Sequence, residues 1–315
     1  MLASDRRSYL LAYGAFALLA LIWGFSYILI KLGVEAMPAT VVVLVRVGTG
    51  AIALLVVFAV LRRRPVGPGF RRKLPGYLFM AVMSTVLPFL LITGGQYYIT
   101  TGLASILNAT TPLWTAILAW WVTPGERPSR VNYLGVAAGF VGTGILLGPE
   151  LVQDPFKASA LAGLAVVAGA ASYAVAALGQ RRLLAGVDPV ESSLWQLLLA
   201  SVLMLIVAAP ALPAAHPGTR ALAAVLVLGV VGTGFAYILY FYILNSLGGT
   251  RGASVTFVIP VTAVFWGAVL FHERLSIQTL AGMAVILFGI VLTSLRRMRR
   301  QPAEEVPEAA AARRA

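Results

Sequence analysis

The sequence predicts an all-α integral membrane protein, with ten transmembrane helices arranged as two inverted five-helix repeats. Three observations lead to this fold class. The chain of 315 residues is 60% hydrophobic and only 11% charged, which leaves too little polar surface to cover a soluble core. Apolar runs of about 20 residues, long enough to cross a bilayer, recur along the chain. A phrase near the middle of the sequence also occurs a second time near its C-terminal end.

The repeated phrase has the form Glu-Arg-x-Ser-x5-Gly-x6-Gly. Its members are Glu126, Arg127, Ser129, Gly135 and Gly142 in the first copy, and Glu273, Arg274, Ser276, Gly282 and Gly289 in the second. Upstream of these, "ASILNATTPLW" resembles "ASVTFVIPVTAVFW", and "GFSYILIKLG" resembles "AASYAVAALG". We therefore divide the chain into a first repeat over 1–150, a second over 151–295, and a disordered cytoplasmic tail over 296–315.

Ten membrane spans follow from the apolar runs. They lie near residues 10–34, 39–61, 75–98, 101–122, 131–149, 158–180, 189–209, 221–245, 251–271 and 276–295. Spans one to five form the first half and spans six to ten the second. Because five is odd, the second half enters the membrane upside down. Inverted halves of this kind provide alternating access to a site between them, although a duplication can also be an evolutionary relic.

The placement of basic residues predicts that both termini are cytoplasmic. With that orientation, 19 of the 24 Lys and Arg residues fall on cytoplasmic segments and three on outer loops, as the positive-inside rule requires. The net charge of +13 then reflects topology and contact with lipid headgroups rather than nucleic-acid binding. We predict a multi-pass protein of the cell inner membrane, with membrane lipid and a small-molecule substrate as partners, and we expect a monomer.

The chemistry of an enzyme or a metal site is poorly represented in the sequence. There is no cysteine, and the two histidines, His216 and His272, lie far apart in predicted loops. Disulfides, thiol catalysis and cysteine metal sites are thereby excluded. The eleven acidic residues are scattered over tails, loops and span ends instead of clustering as catalytic acids do. We expect no cofactor, no metal and no enzymatic activity.

Polar residues inside apolar spans indicate where a substrate cavity lies, because an unsatisfied polar group is costly in lipid. The candidate cavity residues are Trp23, Tyr27, Lys31, Thr85, Gln96, Asn108, Thr111, Tyr237, Tyr240 and Thr256. Pro112 and Pro260, in spans four and nine, are candidate hinges because each removes a backbone donor. Ordinary packing stripes and simple helix bends are the alternative interpretation. Spans five and ten are rich in glycine, which predicts closely packed scaffold helices.

Two cations lie within predicted spans, Lys31 in span one and Arg46 in span two. Both fall in the outer third of the membrane. Glu35 is one helical turn after Lys31 and could neutralise either of them as a structural ion pair. The other interpretation is contact with a substrate carboxylate. We expect the structural role for Arg46, and the substrate role for Lys31 because it continues the stripe of Trp23 and Tyr27.

These patterns resemble a known family. The segments "ALIWGFSYILIKLG", "LVRVGTGAI" and "ASILNATTPLWTAILAWWVTPGERPSRVNYLGVAAGFVGTGILL", with the second copy of the last, are similar to EamA-type transporters of the drug/metabolite transporter superfamily. The resemblance covers about residues 10–295. It implies a bacterial inner-membrane exporter of amino acids or related metabolites, and aromatic amino-acid exporters of the YddG kind are neighbours within the family.

The predicted function is a secondary transporter that exports small polar metabolites, with amino acids favoured, by alternating access. The main alternative is a carrier of phosphorylated metabolites, of the sugar-phosphate or nucleotide-sugar type, with Lys31 and Arg46 as phosphate ligands. An integral membrane enzyme and a channel are further alternatives. The second repeat has no counterpart of Trp23 or Lys31, so the two halves are not expected to contact a substrate identically.

Overall fold

The computed structural model describes residues 3–62, 66, 69–122, 130–274 and 276–300, and these ranges contain helices and loops but no strand. The helices are α1 (Ala3–Val34), α2 (Ala39–Val60), α3 (Phe70–Ala81), α4 (Leu87–Gly95), α5 (Thr101–Asn108), α6 (Thr111–Val122), α7 (Arg130–Gln153), α8 (Ala158–Leu183), α9 (Pro189–Ala208), α10 (Thr219–Gly229), α11 (Ala236–Leu247), α12 (Gly249–Ala253), α13 (Val255–Phe271) and α14 (Ile277–Arg300). Glu126, Arg127 and Ser129 of the repeated phrase lie outside the described residues, as does the tail after Arg300.

The predicted membrane fold class is confirmed. Nine helical segments within the described ranges are long and apolar enough to cross a bilayer, and a tenth apolar stretch covers Ile277–Thr293. Large apolar side chains also cover the outside of the protein: Val202, Leu205 and Ile206 are each more than half exposed. A surface of this kind is stable in contact with lipid rather than water. The protein is a multi-pass membrane protein.

Several spans differ in detail from the expected continuous helices. Span four divides into α5 and α6, and span nine divides at Ser254 into α12 and α13. Helix α14 continues to Arg300, so residues 296–300 of the predicted disordered tail are helical. The arginines in this stretch have good helix propensity, which explains why the helix does not stop at the end of the apolar run.

Polar side chains at loop–helix junctions set where some spans begin. The hydroxyl of Thr100 accepts a hydrogen bond from the Leu103 amide at the start of α5. The carboxylate of Asp188 accepts from the amides of Val190 and Glu191 at the start of α9. Each of these residues satisfies backbone donors that have no partner in the first helical turn.

Glycines of the repeated phrase bring α7 and α14, the last spans of the two halves, into close antiparallel contact. A Cβ atom at Gly135 would lie 2.7 Å from the carbonyl oxygen of Gly289, and one at Gly142 would lie 2.9 Å from that of Gly282. The contact ends in the amide of Gln278, which donates to the carbonyl of Ile145 at 2.7 Å. One function of the repeated phrase is therefore to pack these two helices, as expected for scaffold helices.

We expect Gly142→Ala to lower the melting temperature of the detergent-solubilised protein, because the new methyl group would force α7 and α14 apart. Overpacking of this type costs about 1–3 kcal/mol. Gly144 lies one half-turn away on the same helix, and nothing would touch a Cβ atom there. Gly144→Ala is the matched control, and it should leave the protein equally stable or more stable because alanine favours helix. Equal melting temperatures for the two variants would contradict the packing role.

Span one lies at the centre of the described structure. Helix α1 contacts α10, α11 and α13 of the second half, as well as α2, α4 and α5 of its own half. Residues Ser26 to Ile30 of this helix are all buried. Ser26 and Tyr27 of α1 therefore face protein rather than lipid.

Candidate functional site

Spans three and eight, the third span of each half, both contain a π-helical turn. The turns cover Val82–Val86 and Val230–Phe235. Each has a buried threonine as its fourth residue, Thr85 in the first turn and Thr233 in the second. A π turn widens the helix and disturbs its backbone hydrogen bonds, and such turns occur frequently at functional sites. Their matching positions indicate a site between the two halves.

The first span of each half carries a serine that packs against the π turn of the opposite half. Ser172 in span six donates a hydrogen bond of 2.7 Å to the carbonyl oxygen of Met83. Ser26 in span one lies against Gly232, where a Cβ atom would come within 2.8 Å of the serine hydroxyl. These contacts hold the two π turns next to the middle of spans one and six.

Arg46 links the halves within the membrane. Its Nε atom donates a hydrogen bond of 3.0 Å to the hydroxyl of Thr233, which itself donates to the carbonyl of Leu228 at 3.1 Å. The guanidinium carbon lies 3.7 Å from the ring centroid of Phe89, a cation–π arrangement. A cation of span two is thus held by the π turn of span eight and a ring of span three.

Three tyrosines lie within electrostatic range of this guanidinium. They are Tyr27, Tyr173 and Tyr237. Tyr27 and Tyr173 occupy the same place in the repeated segments "GFSYILIKLG" and "AASYAVAALG", so each half contributes an equivalent ring. Tyr237 is hydrogen-bonded to the side chain of Gln196. The result is a positively charged centre lined by hydroxyl groups from both halves.

Several buried polar atoms within the spans have no hydrogen-bond partner in the part of the chain that the structure describes. The amide nitrogen of Asn108 donates to the Tyr27 hydroxyl at 2.9 Å, but its Oδ1 has no partner. The side chain of Gln96 is fully buried, with both amide atoms unpartnered, as is the hydroxyl of Thr85. Buried polar groups left unpaired cost about 1–3 kcal/mol each, so these atoms are suited to binding water or a polar ligand.

The remaining predicted cavity residues have varied surroundings. Trp23 and Tyr240 pack against each other with ring centroids 5.3 Å apart. The hydroxyls of Thr111 and Thr256 each donate to the carbonyl three residues earlier. These two threonines therefore satisfy the backbone where spans four and nine are broken.

Lys31 lies apart from the Arg46 centre. Its Nζ atom donates to the backbone carbonyl of Gln96 at 2.8 Å, just after the end of α4, where a cation stabilises the helix dipole. The expected ion pair with Glu35 is wrong: within the described residues that carboxylate forms a pair with neither Lys31 nor Arg46, and it is exposed. An exposed carboxylate keeps its hydration, which burial beside either cation would remove.

The two candidate hinge prolines differ in position. Pro112 is the second residue of α6, directly after the break in span four, where a missing N–H group needs no partner. Pro260 lies inside the continuous helix α13, and the break in span nine comes earlier, at Ser254. The prolines therefore do not mark equivalent interruptions in the two halves.

The glutamate of the second repeated phrase joins the halves at the end of the protein predicted to face outside. His272 adopts a left-handed conformation after α13, which turns the chain and positions Glu273. Its Oε1 accepts hydrogen bonds from the amide and hydroxyl of Thr101 at 2.8 and 2.7 Å, and its Oε2 accepts from the Gly102 amide at 3.1 Å. A carboxylate from the connection after span nine thus caps the N-terminus of α5, where the helix dipole favours negative charge. We name this contact the Glu273 cap.

Five residues of the centre were not among the predicted cavity residues: Arg46, Phe89, Tyr173, Gln196 and Thr233. An arginine within an apolar span is by itself a signal of function. Tyr173 could have been found from its match to Tyr27 in the repeat. Gln196 is the eighth residue of α9, as Arg46 is of α2, and it could have been found because the predicted spans 39–61 and 189–209 already place the two residues at the same position.

A comparison with protein families matches the model described as the EamA-like transporter family to residues 10–148 and 160–295. The chain belongs to the EamA-like transporter family. Both halves of this EamA-like protein fall within the matched ranges, and Arg46, Tyr27, Tyr173 and Thr233 all lie inside them.

Similar proteins are named as transporters. The uncharacterized inner membrane transporter YedA of Escherichia coli (strain K12) is 29% identical over 296 residues, covering 92% of each chain. The uncharacterized transporter YoaV of Bacillus subtilis (strain 168) is 24% identical over 284 residues, covering 89% of this chain and 96% of its own. One solved crystal structure, at 19% identity, matches 94% of this chain and all of its own with a TM-score of 0.63, which supports the fold.

Proposed function

We propose that this EamA-like protein is a secondary transporter that exports small polar metabolites, with amino acids as the favoured class, by alternating access. The observation that carries the proposal is the meeting of polar groups from both halves inside the membrane. Arg46 of the first half is hydrogen-bonded to Thr233 of the second, and the equivalent rings of Tyr27 and Tyr173 flank it. A site formed by residues of both halves can be exposed to either side when the halves move.

The arrangement of the repeats supports alternating access. The π turns in spans three and eight, and the serines that pack against them, recur in both halves in equivalent order. The Glu273 cap joins spans four and nine at one end of the protein. Such a contact is suited to closing that end, and we propose that the described conformation is closed at the predicted outer side.

We further propose that the protein acts in the bacterial inner membrane as a monomer, with both termini in the cytoplasm. The distribution of basic residues supports this orientation, and the relative YedA is named as an inner membrane transporter. With this orientation the Glu273 cap faces the outside, and the basic C-terminal end of α14 faces the cytoplasm.

Transport by the purified protein in proteoliposomes tests the proposal. We expect uptake of labelled amino acids, and counterflow when the same amino acid is loaded inside without an ion gradient. Counterflow identifies a carrier, because a channel cannot couple the exit of unlabelled amino acid to the accumulation of labelled amino acid inside the liposomes. Empty liposomes are the first control, and liposomes with sugar phosphates as labelled substrates are the second. Uptake of sugar phosphates without amino-acid uptake would instead support the carrier of phosphorylated metabolites.

A further inference from the structure

Arg46 has hydrogen-bonding capacity that the protein itself leaves unused. A guanidinium group carries five N–H donors, and within the described residues only Nε has a hydrogen-bond partner, the hydroxyl of Thr233. No carboxylate among those residues forms an ion pair with it. The Arg46 side chain lies within the protein. Part of its surface remains accessible. The paired terminal nitrogens therefore have neither a hydrogen-bond partner nor a counter-ion among the described residues.

The geometry around Arg46 fixes the guanidinium in advance of binding. Thr233 holds Nε at 3.0 Å, and the ring of Phe89 supports the plane of the group at 3.7 Å. Neither contact neutralises the charge. An unpaired cation inside a membrane span is unfavourable, and a fixed guanidinium matches the two oxygens of a carboxylate through parallel hydrogen bonds.

The balance of charge favours a singly charged anion. The other cation inside a predicted span, Lys31, is bound to the carbonyl of Gln96. A phosphate monoester carries nearly two negative charges at neutral pH, which one arginine cannot match. A carboxylate carries one.

We propose that Arg46 is the carboxylate-binding residue of the transport site, and that the substrates are organic monocarboxylates. The inference rests on the proposed transport function and specifies the chemical class of its substrates. For α-amino acids the neighbouring acceptor is Oδ1 of Asn108, which has no partner. Its amide nitrogen is bonded to the hydroxyl of Tyr27, and Tyr27 interacts electrostatically with Arg46. The carboxylate of one substrate would thus bind Arg46, and its ammonium group would bind the free acceptor of Asn108.

Binding of paired ligands to the purified protein tests this assignment. The probes are L-phenylalanine with L-phenylalaninamide, L-leucine with L-leucinamide, phenylpropionate, and glucose 6-phosphate, with affinity measured by ligand-induced thermal stabilisation. We expect the wild type to bind each acid at least tenfold more tightly than its amide. In Arg46→Gln the acid should lose at least about 30-fold in affinity while the amide changes little, because truncating one partner of a buried charged pair has an effect of that size.

Two further variants keep the test decisive. Arg46→Lys retains the charge without the planar pair of donors, and we expect it to keep part of the preference for acids. This variant provides the test if Arg46→Gln does not fold. Lys31→Gln is the matched control at the other intramembrane cation, and it should lower the melting temperature but keep the acid-to-amide ratio of the wild type.

Other outcomes would overturn the assignment. It fails if wild-type protein binds acids and amides equally, if it prefers glucose 6-phosphate, or if Arg46→Gln and Arg46→Lys both keep the full preference for acids. Failure of the proposed function is a separate result. Binding of phenylpropionate without either amino acid would leave Arg46 as the carboxylate site and reject amino-acid export.

Discussion

Glu273→Gln is expected to open the end of the protein that the Glu273 cap closes. The charged carboxylate accepts three hydrogen bonds from Thr101 and Gly102, and bonds to a charged group are worth about 1.5–3 kcal/mol each when buried. Because Glu273 is partly exposed, we expect a combined loss of about 2 kcal/mol, less than the buried values would add up to. That loss corresponds to a roughly 30-fold shift toward the open state.

Cysteine labelling with a membrane-impermeant reagent measures this shift, since the chain has no native cysteine. Ser105 lies one turn below the capped end of α5 and is 1% exposed. A cysteine at Ser105 should react slowly from the predicted outer side in an otherwise wild-type protein and many times faster in Glu273→Gln. A cysteine at Ser276, which is exposed, is the reference for sidedness and should react equally in both backgrounds.

The control for this experiment is Glu35→Gln. Glu35 is a second glutamate near the predicted outer side, but it is exposed and forms no ion pair with Lys31 or Arg46 in the described part of the chain. Its replacement should change neither the melting temperature nor the labelling rate at Ser105. Equal labelling rates in Glu273→Gln and Glu35→Gln would show that the cap does not control access.

Tyr237→Ala is expected to reduce transport at least tenfold. The residue contributes a ring beside Arg46 and is hydrogen-bonded to Gln196. Loss of an aromatic contact of about 1.5 kcal/mol corresponds to a factor of ten. Tyr237→Phe keeps the ring and removes the hydroxyl, so it should retain part of the activity. Initial rates of amino-acid uptake into proteoliposomes, at equal reconstituted protein, measure both variants.

Val141→Ala on span five is the matched control for Tyr237→Ala. Val141 is 59% exposed and lies on the scaffold helix α7, far in sequence from the polar centre. Its shortening should leave uptake unchanged. If Tyr237→Ala transports as fast as Val141→Ala with normal expression, Tyr237 has no part in the substrate pathway.

The sequence by itself determined the membrane class, the ten spans and the two repeats. These features can be predicted from hydropathy and from internal sequence similarity, because both are local or periodic properties of the chain. The glycines of the repeated phrase also predicted that spans five and ten pack closely, because small residues allow helix backbones to approach. The contact of Gly135 with Gly289 and that of Gly142 with Gly282 agree with this expectation.

Only the tertiary structure showed the contacts of the two intramembrane cations. In sequence Lys31 continues a stripe with Tyr27, whereas Arg46 is surrounded by apolar residues, and the stripe favoured Lys31 as the substrate contact. In three dimensions Lys31 bonds to the end of α4, while Arg46 reaches Thr233, 187 residues away in the chain. The partners of a charged side chain lie on other helices, and helical periodicity describes only the face of its own helix. For that reason the position of each cation followed from packing between the halves and not from the spacing of residues within a span.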